Sequence, residues 1–109
     1  MGRISPKTSP GTLILFLVLR ATTHPSAAAS ALQTKVAFGV ILRRRRIELH
    51  LTQEQLSWMT LIDRKFISAI ERGQREPCLL TIFKLASSLN LSPSQLLAEV
   101  ERVLQQSEQ

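Results

Sequence analysis

Apolar residues along this chain follow two regimes, with the border near Val36. Downstream of it they recur at helical spacing. Phe38, Ile41, Leu42 and Leu49 share one side of a first helix predicted over residues 36–49. Thr52 reads as an N-cap, and Gln55, three residues on, completes a capping box, so a second helix is expected from Gln53 to about Met59. Asp63 caps a third helix that ends at Gly73, where a left-handed residue is easily accommodated. Pro77 closes the next loop. Leu79, Ile82, Leu85, Ala86 and Leu89 form the inward stripe of a fourth helix over about 79–89, and Asn90 stops it. Ser92 and Gln95 form a second capping box with Pro93 at the first helical position, and a last helix runs to about Leu104. The pattern predicts an all-α domain of five short helices over residues 36–104, with a C-terminal tail at 105–109.

Residues 1–35 are unlike the rest. They hold three of the five prolines and the alanine-rich stretch SAAASA at 26–31. The apolar run TLILFLVL at 12–19, preceded by Arg3 and Lys7 and followed by small residues, imitates a secretory signal. It is far short of the roughly 20 residues that span a bilayer, so no membrane partner is expected. Arg20 and His24 follow it too closely for a good signal. These residues are expected to be a disordered or non-native extension, with the working domain starting near Val36.

Composition narrows the picture. Apolar residues make up 44% of the chain but aromatics only 5%, with no Tyr and one Trp, which suits packed helices better than a β-sandwich. The single cysteine, Cys78, cannot form an internal disulfide. The net charge of +6 is unevenly spread. Residues 36–75 carry Arg43, Arg44, Arg45, Arg46, Arg64, Lys65, Arg72 and Arg75 against Glu48, Glu54, Asp63 and Glu71, whereas residues 76–109 are net acidic. A basic middle and an acidic end imply one face for a polyanion.

The stretch LTQEQLSWMTLIDRKFISAIERGQREP, residues 51–77, carries the chemistry. Two short helices are joined by a tight turn, and the second opens with the adjacent cations Arg64 and Lys65. Positions 64, 65, 68 and 69 share one face, opposite Ile67 and Ile70. A major groove about 12 Å wide admits one helix and is read from that helix's first turns. Long donors at the tip and the small Ser68 and Ala69 behind them suit such an entry.

This segment resembles the Cro/lambda-repressor-like helix-turn-helix family, also called the xenobiotic-response-element family. The matching residues are Leu51, Thr52, Gln53, Leu56, Ser57, Ile62, Asp63, Ile67, Ser68, Ile70, Glu71, Arg72, Gly73 and Pro77, and TIFKLASSLNLSPSQLL at 81–97 matches the family's last two helices. The resemblance covers about 65 residues, from Phe38 to Val103, and implies a five-helix lambda-repressor-like DNA-binding domain. It implies base reading by Arg64, Lys65, Ser68 and Ala69, and a phosphate held at Gln53, where a helix N-terminus supplies an anion site. Thr52, Arg43, Arg72 and Arg75 are expected beside it as further phosphate contacts. It also implies a structural ion pair between Arg46 and Glu71. His50 and Leu61 stand where the family usually has glycine, Ser57 where it has alanine, and Cys78 where a serine cap is common.

Plainer readings apply to several residues. Arg43 to Arg46 cover more than one helical turn, so they cannot all face DNA. Trp58 and Met59 are expected in core or edge packing, and Cys78 as inert packing. His50 has no second ligand at metal spacing, so no metal and no cofactor are expected. No nucleophile–base pair stands out, so no catalytic residue is assigned and an enzyme is not expected. The reading is a cytoplasmic, nucleoid-associated transcriptional regulator, a repressor by preference, that binds double-stranded DNA as a homodimer. Leu96, Leu97, Val100, Val103 and Leu104 of the last helix are assigned the dimer contact. The alternatives are an antitoxin that clasps a toxin, a restriction–modification controller, and a protein–protein adaptor.

Overall fold

The computed structural model describes residues 27–107. Five helices follow in order: α1 (Ala27–Glu48), α2 (Gln53–Thr60), α3 (Arg64–Glu71), α4 (Leu79–Ser88) and α5 (Pro93–Ser107). Among the described residues there is no strand. The fold is all-α, the starts of α2, α3 and α5 fall where their caps predict, and α4 starts at Leu79 without a side-chain cap. The Thr52 hydroxyl accepts from the Gln55 amide at 3.0 Å, and the Gln55 side chain accepts from the Thr52 amide at 2.8 Å. Ser92 and Gln95 close the same reciprocal pair, at 3.1 and 2.8 Å. Asp63 caps α3 by accepting from the Lys65 amide.

Two ends differ from expectation. α1 starts at Ala27 rather than near Val36. Ser30 to Thr34 are all exposed, so no packed face marks these turns. Alanine propensity carries the helix there, and a search for apolar periodicity is blind to it. α5 runs through Ser107, beyond the predicted end at Leu104. The signal-like run at 12–19 lies outside the described residues.

The core draws on every helix: Ala37, Phe38, Ile41 and Leu42 from α1, Leu56 from α2, Ile67 and Ile70 from α3, Leu85, Ala86 and Leu89 from α4 and its cap, and Leu96 and Val100 from α5. Fully burying one Leu or Ile side chain stabilises by roughly 1.5–3 kcal/mol. Leu79 does not join this core, contrary to its predicted inward place. It is 68% exposed in the first turn of α4, where the helix has not yet come down onto its neighbours.

α1 lies against the C-terminal turn of α3 with almost no gap. A Cβ at Gly39 would come within 2.4 Å of the Ile70 carbonyl oxygen and 2.7 Å of that of Glu71. Only a glycine allows this approach. It brings the cationic stretch of α1 alongside α3 and fixes the attitude of that helix.

The turns carry strain that the chain tolerates without glycine. His50, Leu61 and Asn90 have φ of 59°, 60° and 60°. A left-handed conformation costs an ordinary L-residue roughly 1–2 kcal/mol, and asparagine less. The α2–α3 turn is held across Leu61 by the Ser57 hydroxyl, which donates to the Ile62 carbonyl. The serine that replaces a small apolar residue therefore ties down the turn that leads into α3.

Candidate nucleic-acid interface

α3 has two contrasting sides. Ile67 and Ile70 are fully buried, while Arg64 and Lys65 at its tip are exposed and Ser68 and Ala69 behind them are half-buried. The structure thus brings the four residues expected to read bases onto one outward face. Arg72 joins them. Its Nη1 donates to the Ser68 hydroxyl at 2.8 Å, and its guanidinium also donates to the Gln74 side chain. Arg72, expected at a phosphate, lies one turn beyond Ser68 on the same face and holds that hydroxyl in place.

Beneath this face sits one buried charge cluster. Arg46 is 8% exposed. Its Nε and Nη2 donate to Glu71 Oε2 and Oε1 at 2.6 and 3.0 Å, and its Nη1 donates to the Leu51 carbonyl at 2.7 Å. The planar guanidinium is satisfied on three sides, the condition under which a buried ion pair is tolerable. Glu71 also accepts from Gln53 Nε2 at 3.0 Å, and Arg43 Nη1 lies 3.9 Å from the same carboxylate. One carboxylate from the end of α3 therefore gathers α1 and the start of α2.

This changes the reading of Gln53. Its side-chain amide is engaged with Glu71, so a phosphate at the start of α2 would meet the backbone amides of the first turn and the remaining amide hydrogen of Gln53. Thr52 already spends one lone pair on its cap, and its hydroxyl hydrogen remains to be donated. Glu54 in the same turn works against an anion. Arg43 is exposed beside this site, and Arg75 sits over the Phe66 ring, 5.9 Å from its centroid.

The run of arginines is divided among tasks. Arg45 Nε donates to the Leu89 carbonyl at 3.0 Å and so caps the C-terminal end of α4, a favourable place for a cation. Arg44 is exposed. Periodicity excluded a common face for all four but could not say which neighbours each would meet.

Five residues assigned to packing or contact take other places. Trp58 and Met59, expected in the core or at its edge, are 68% and 52% exposed. Met59 and Leu61 line a shallow groove with Phe83 of α4. Leu96 and Val100, assigned to the dimer contact, are buried in the chain's own core at 0% and 4% exposure, so they cannot also meet a partner. α5 is amphipathic because it seals the base of α4. Val103 and Leu104 are half-buried against the same core, and Leu97 is exposed. Cys78, expected as packing, is exposed at the start of α4. Its thiol is within 3.3 Å of the Thr81 hydroxyl, and that hydrogen bond holds its pKa below the ordinary thiol value.

A short second helix, a tight turn and a third helix with a cationic outer face place this geometry among DNA-binding helix-turn-helix folds. The profile of the helix-turn-helix family HTH_3 matches residues 42–96. The chain belongs to this helix-turn-helix family. It is 33% identical over 63 residues to an HTH-type transcriptional regulator, y4dJ, of Sinorhizobium fredii, with 58% of this chain and 82% of that protein covered. It is 32% identical over 69 residues to the control protein C.MunI of a Mycoplasma species, covering 62% and 93%. Among solved structures it resembles the restriction-modification controller protein C.AhdI of Aeromonas hydrophila, at 40% identity and a TM-score of 0.55, covering 57% of this chain and 94% of that one. Among the described residues no helix is long and apolar enough to cross a membrane.

Proposed function

We propose that this protein is a sequence-specific DNA-binding transcriptional regulator that reads an operator through α3. The observation that carries the reading is the outer face of that helix. Arg64 and Lys65 project at its tip, Ser68 is oriented by Arg72, and α3 is held at a fixed angle by the Arg46–Glu71 fork and the Gly39 approach. Positioned donors on a rigid element are what base reading needs. Arg43, the first amides of α2 and the Gln53 side chain would hold the adjacent phosphates.

One such helix reads roughly four base pairs, so useful specificity calls for two half-sites about 34 Å apart and a two-fold dimer. The surface that supports dimerisation here is the outer stripe of α4 with the end of α2. Phe83 is 51% exposed beside Met59 and Leu61, and Leu80, three residues before it on α4, is 62% exposed. Apolar side chains gathered in this way mark an interaction surface. Leu97 is the one residue of the predicted α5 contact that stays exposed. Phe83→Glu should then leave the fold intact and shift the sedimenting species from dimer to monomer.

Similarity to two controller proteins supports a narrower assignment, the control of a restriction–modification locus. A methyltransferase or endonuclease gene beside this one would support that assignment, and a toxin gene would favour an antitoxin instead. The site of action in either case is the cytoplasmic nucleoid.

The test is an unbiased selection from random duplex DNA with the full chain at about 0.15 M salt. An inverted repeat should emerge. Uniform, steeply salt-dependent binding with no enriched motif would refute a sequence reader.

A further inference from the structure

On the flank of α3 that turns away from Arg64, a concavity is lined by Phe66 and Ala69, with Lys65, Arg75 and the carboxylate of Asp63 around it. Its walls differ in kind. Phe66 is half-buried and packed against the core, and the Arg75 guanidinium carbon lies 5.9 Å from its ring centroid. The Ala69 methyl completes an apolar wall next to Lys65, a residue of the base-facing side. A phosphate seated in the concavity would lose water against a ring and a methyl group, and would meet the Asp63 carboxylate. A small neutral apolar group would meet neither penalty. The major groove offers one such group, the 5-methyl of thymine, which is read by contact with residues such as Ala and Phe.

We infer that Phe66 and Ala69 form a seat for a thymine 5-methyl group, so that this chain specifies a thymine in each half-site by contact rather than by hydrogen bonding. Lys65 and Arg75 flank the seat and hold the strand that carries this base. Phe66 thereby joins the specificity-determining residues, although its core contacts alone would class it as packing.

The inference rests on the assignment of α3 to DNA reading, and the test separates the two. The selected duplex is rebuilt with deoxyuridine in place of thymidine, one position at a time, so that a single methyl is removed and all hydrogen-bonding groups stay. One position per half-site should weaken binding about fourfold, the effect of losing one buried methyl-sized group. In Ala69→Ser and Phe66→Leu proteins, verified as folded by thermal melting, the difference between thymidine and deoxyuridine at that position should shrink. If the motif is bound but every substitution leaves affinity unchanged, the methyl seat is wrong and the DNA-reading assignment stands. A position that responds equally in wild type and both variants would also overturn it, because another residue would then meet the methyl. With no enriched motif at all, both readings fall together.

Discussion

Arg46 and Glu71 form a two-pronged fork across the domain, with Nε–Oε2 and Nη2–Oε1 distances of 2.6 and 3.0 Å, and the Glu71 side chain is 3% exposed. The pair joins the last turn of α1 to the last residue of α3. Its partners are Gln53 at the start of α2 and the Leu51 carbonyl just before it. The helices that must act together on DNA thus converge on one carboxylate. Removing Arg46 leaves the buried Glu71 carboxylate with only Gln53 and the more distant, exposed Arg43, and removing Glu71 leaves the Arg46 guanidinium buried without a counter-charge.

Arg46→Ala should therefore destabilise by about 3 kcal/mol or more, read as a lowered midpoint in urea. The paired change Arg46→Met/Glu71→Leu should recover much of that loss, because the cost comes from the stranded charge. A single-variant loss below about 1 kcal/mol would show that the fork is incidental.

Gly39→Ala reverses the usual sign. On an exposed helix this change stabilises by about 1 kcal/mol. Here the added methyl would meet two backbone oxygens at 2.4 and 2.7 Å, and backbone cannot step aside as a side chain can. A net loss of about 2–3 kcal/mol is expected from thermal or urea melts, with DNA affinity reduced as α3 is pushed out of position.

How much of this was legible in the sequence depends on the kind of signal. The caps were local, so Thr52, Asp63 and Ser92 marked three helix starts, and the left-handed turns at His50 and Leu61 followed from their positions in the motif. The buried or exposed state of single apolar residues was not local. Leu96 and Val100 have the spacing of a partner stripe, but the same spacing serves to seal α4, and only the three-dimensional arrangement decides between the two. Trp58 and Met59 look like core residues because they are large, yet α2 is only eight residues long and turns Leu56 and Thr60 inward instead. Gly39 carried a usable signal. An isolated glycine inside a helical pattern often marks a close approach, though not which partner it approaches. The engagement of Gln53 by Glu71 had no sequence signal of its own.

His50 offers a clean test of stored backbone strain. Its φ is 59° and its side chain is exposed, so replacement removes strain and little packing. His50→Gly should stabilise by about 1 kcal/mol in spite of the added freedom of the unfolded chain. A loss of stability would show that the imidazole makes a contact of value.

Cys78 should react in the native state. It is exposed, and the Thr81 hydroxyl hydrogen bond lowers its pKa. A lowered pKa enlarges the thiolate fraction below the ordinary thiol range, and the thiolate is the nucleophile. Alkylation by iodoacetamide without denaturant should therefore reach its plateau at a lower pH than for a free thiol, and Thr81→Val should move the profile back up. A thiol that reacts only after unfolding would contradict its placement.

The most direct test of the account compares wild type with Arg64→Ala/Lys65→Ala on a selected duplex and on a scrambled one, by fluorescence anisotropy at about 0.15 M salt. Both side chains are exposed, so the variant should melt like the wild type. The account predicts that wild type prefers the selected duplex by about a thousandfold or more. The variant should lose most of that preference while retaining much of its weak binding to the scrambled duplex. If instead both proteins prefer the selected duplex to the same degree, the tip of α3 does not read DNA and the central claim is wrong.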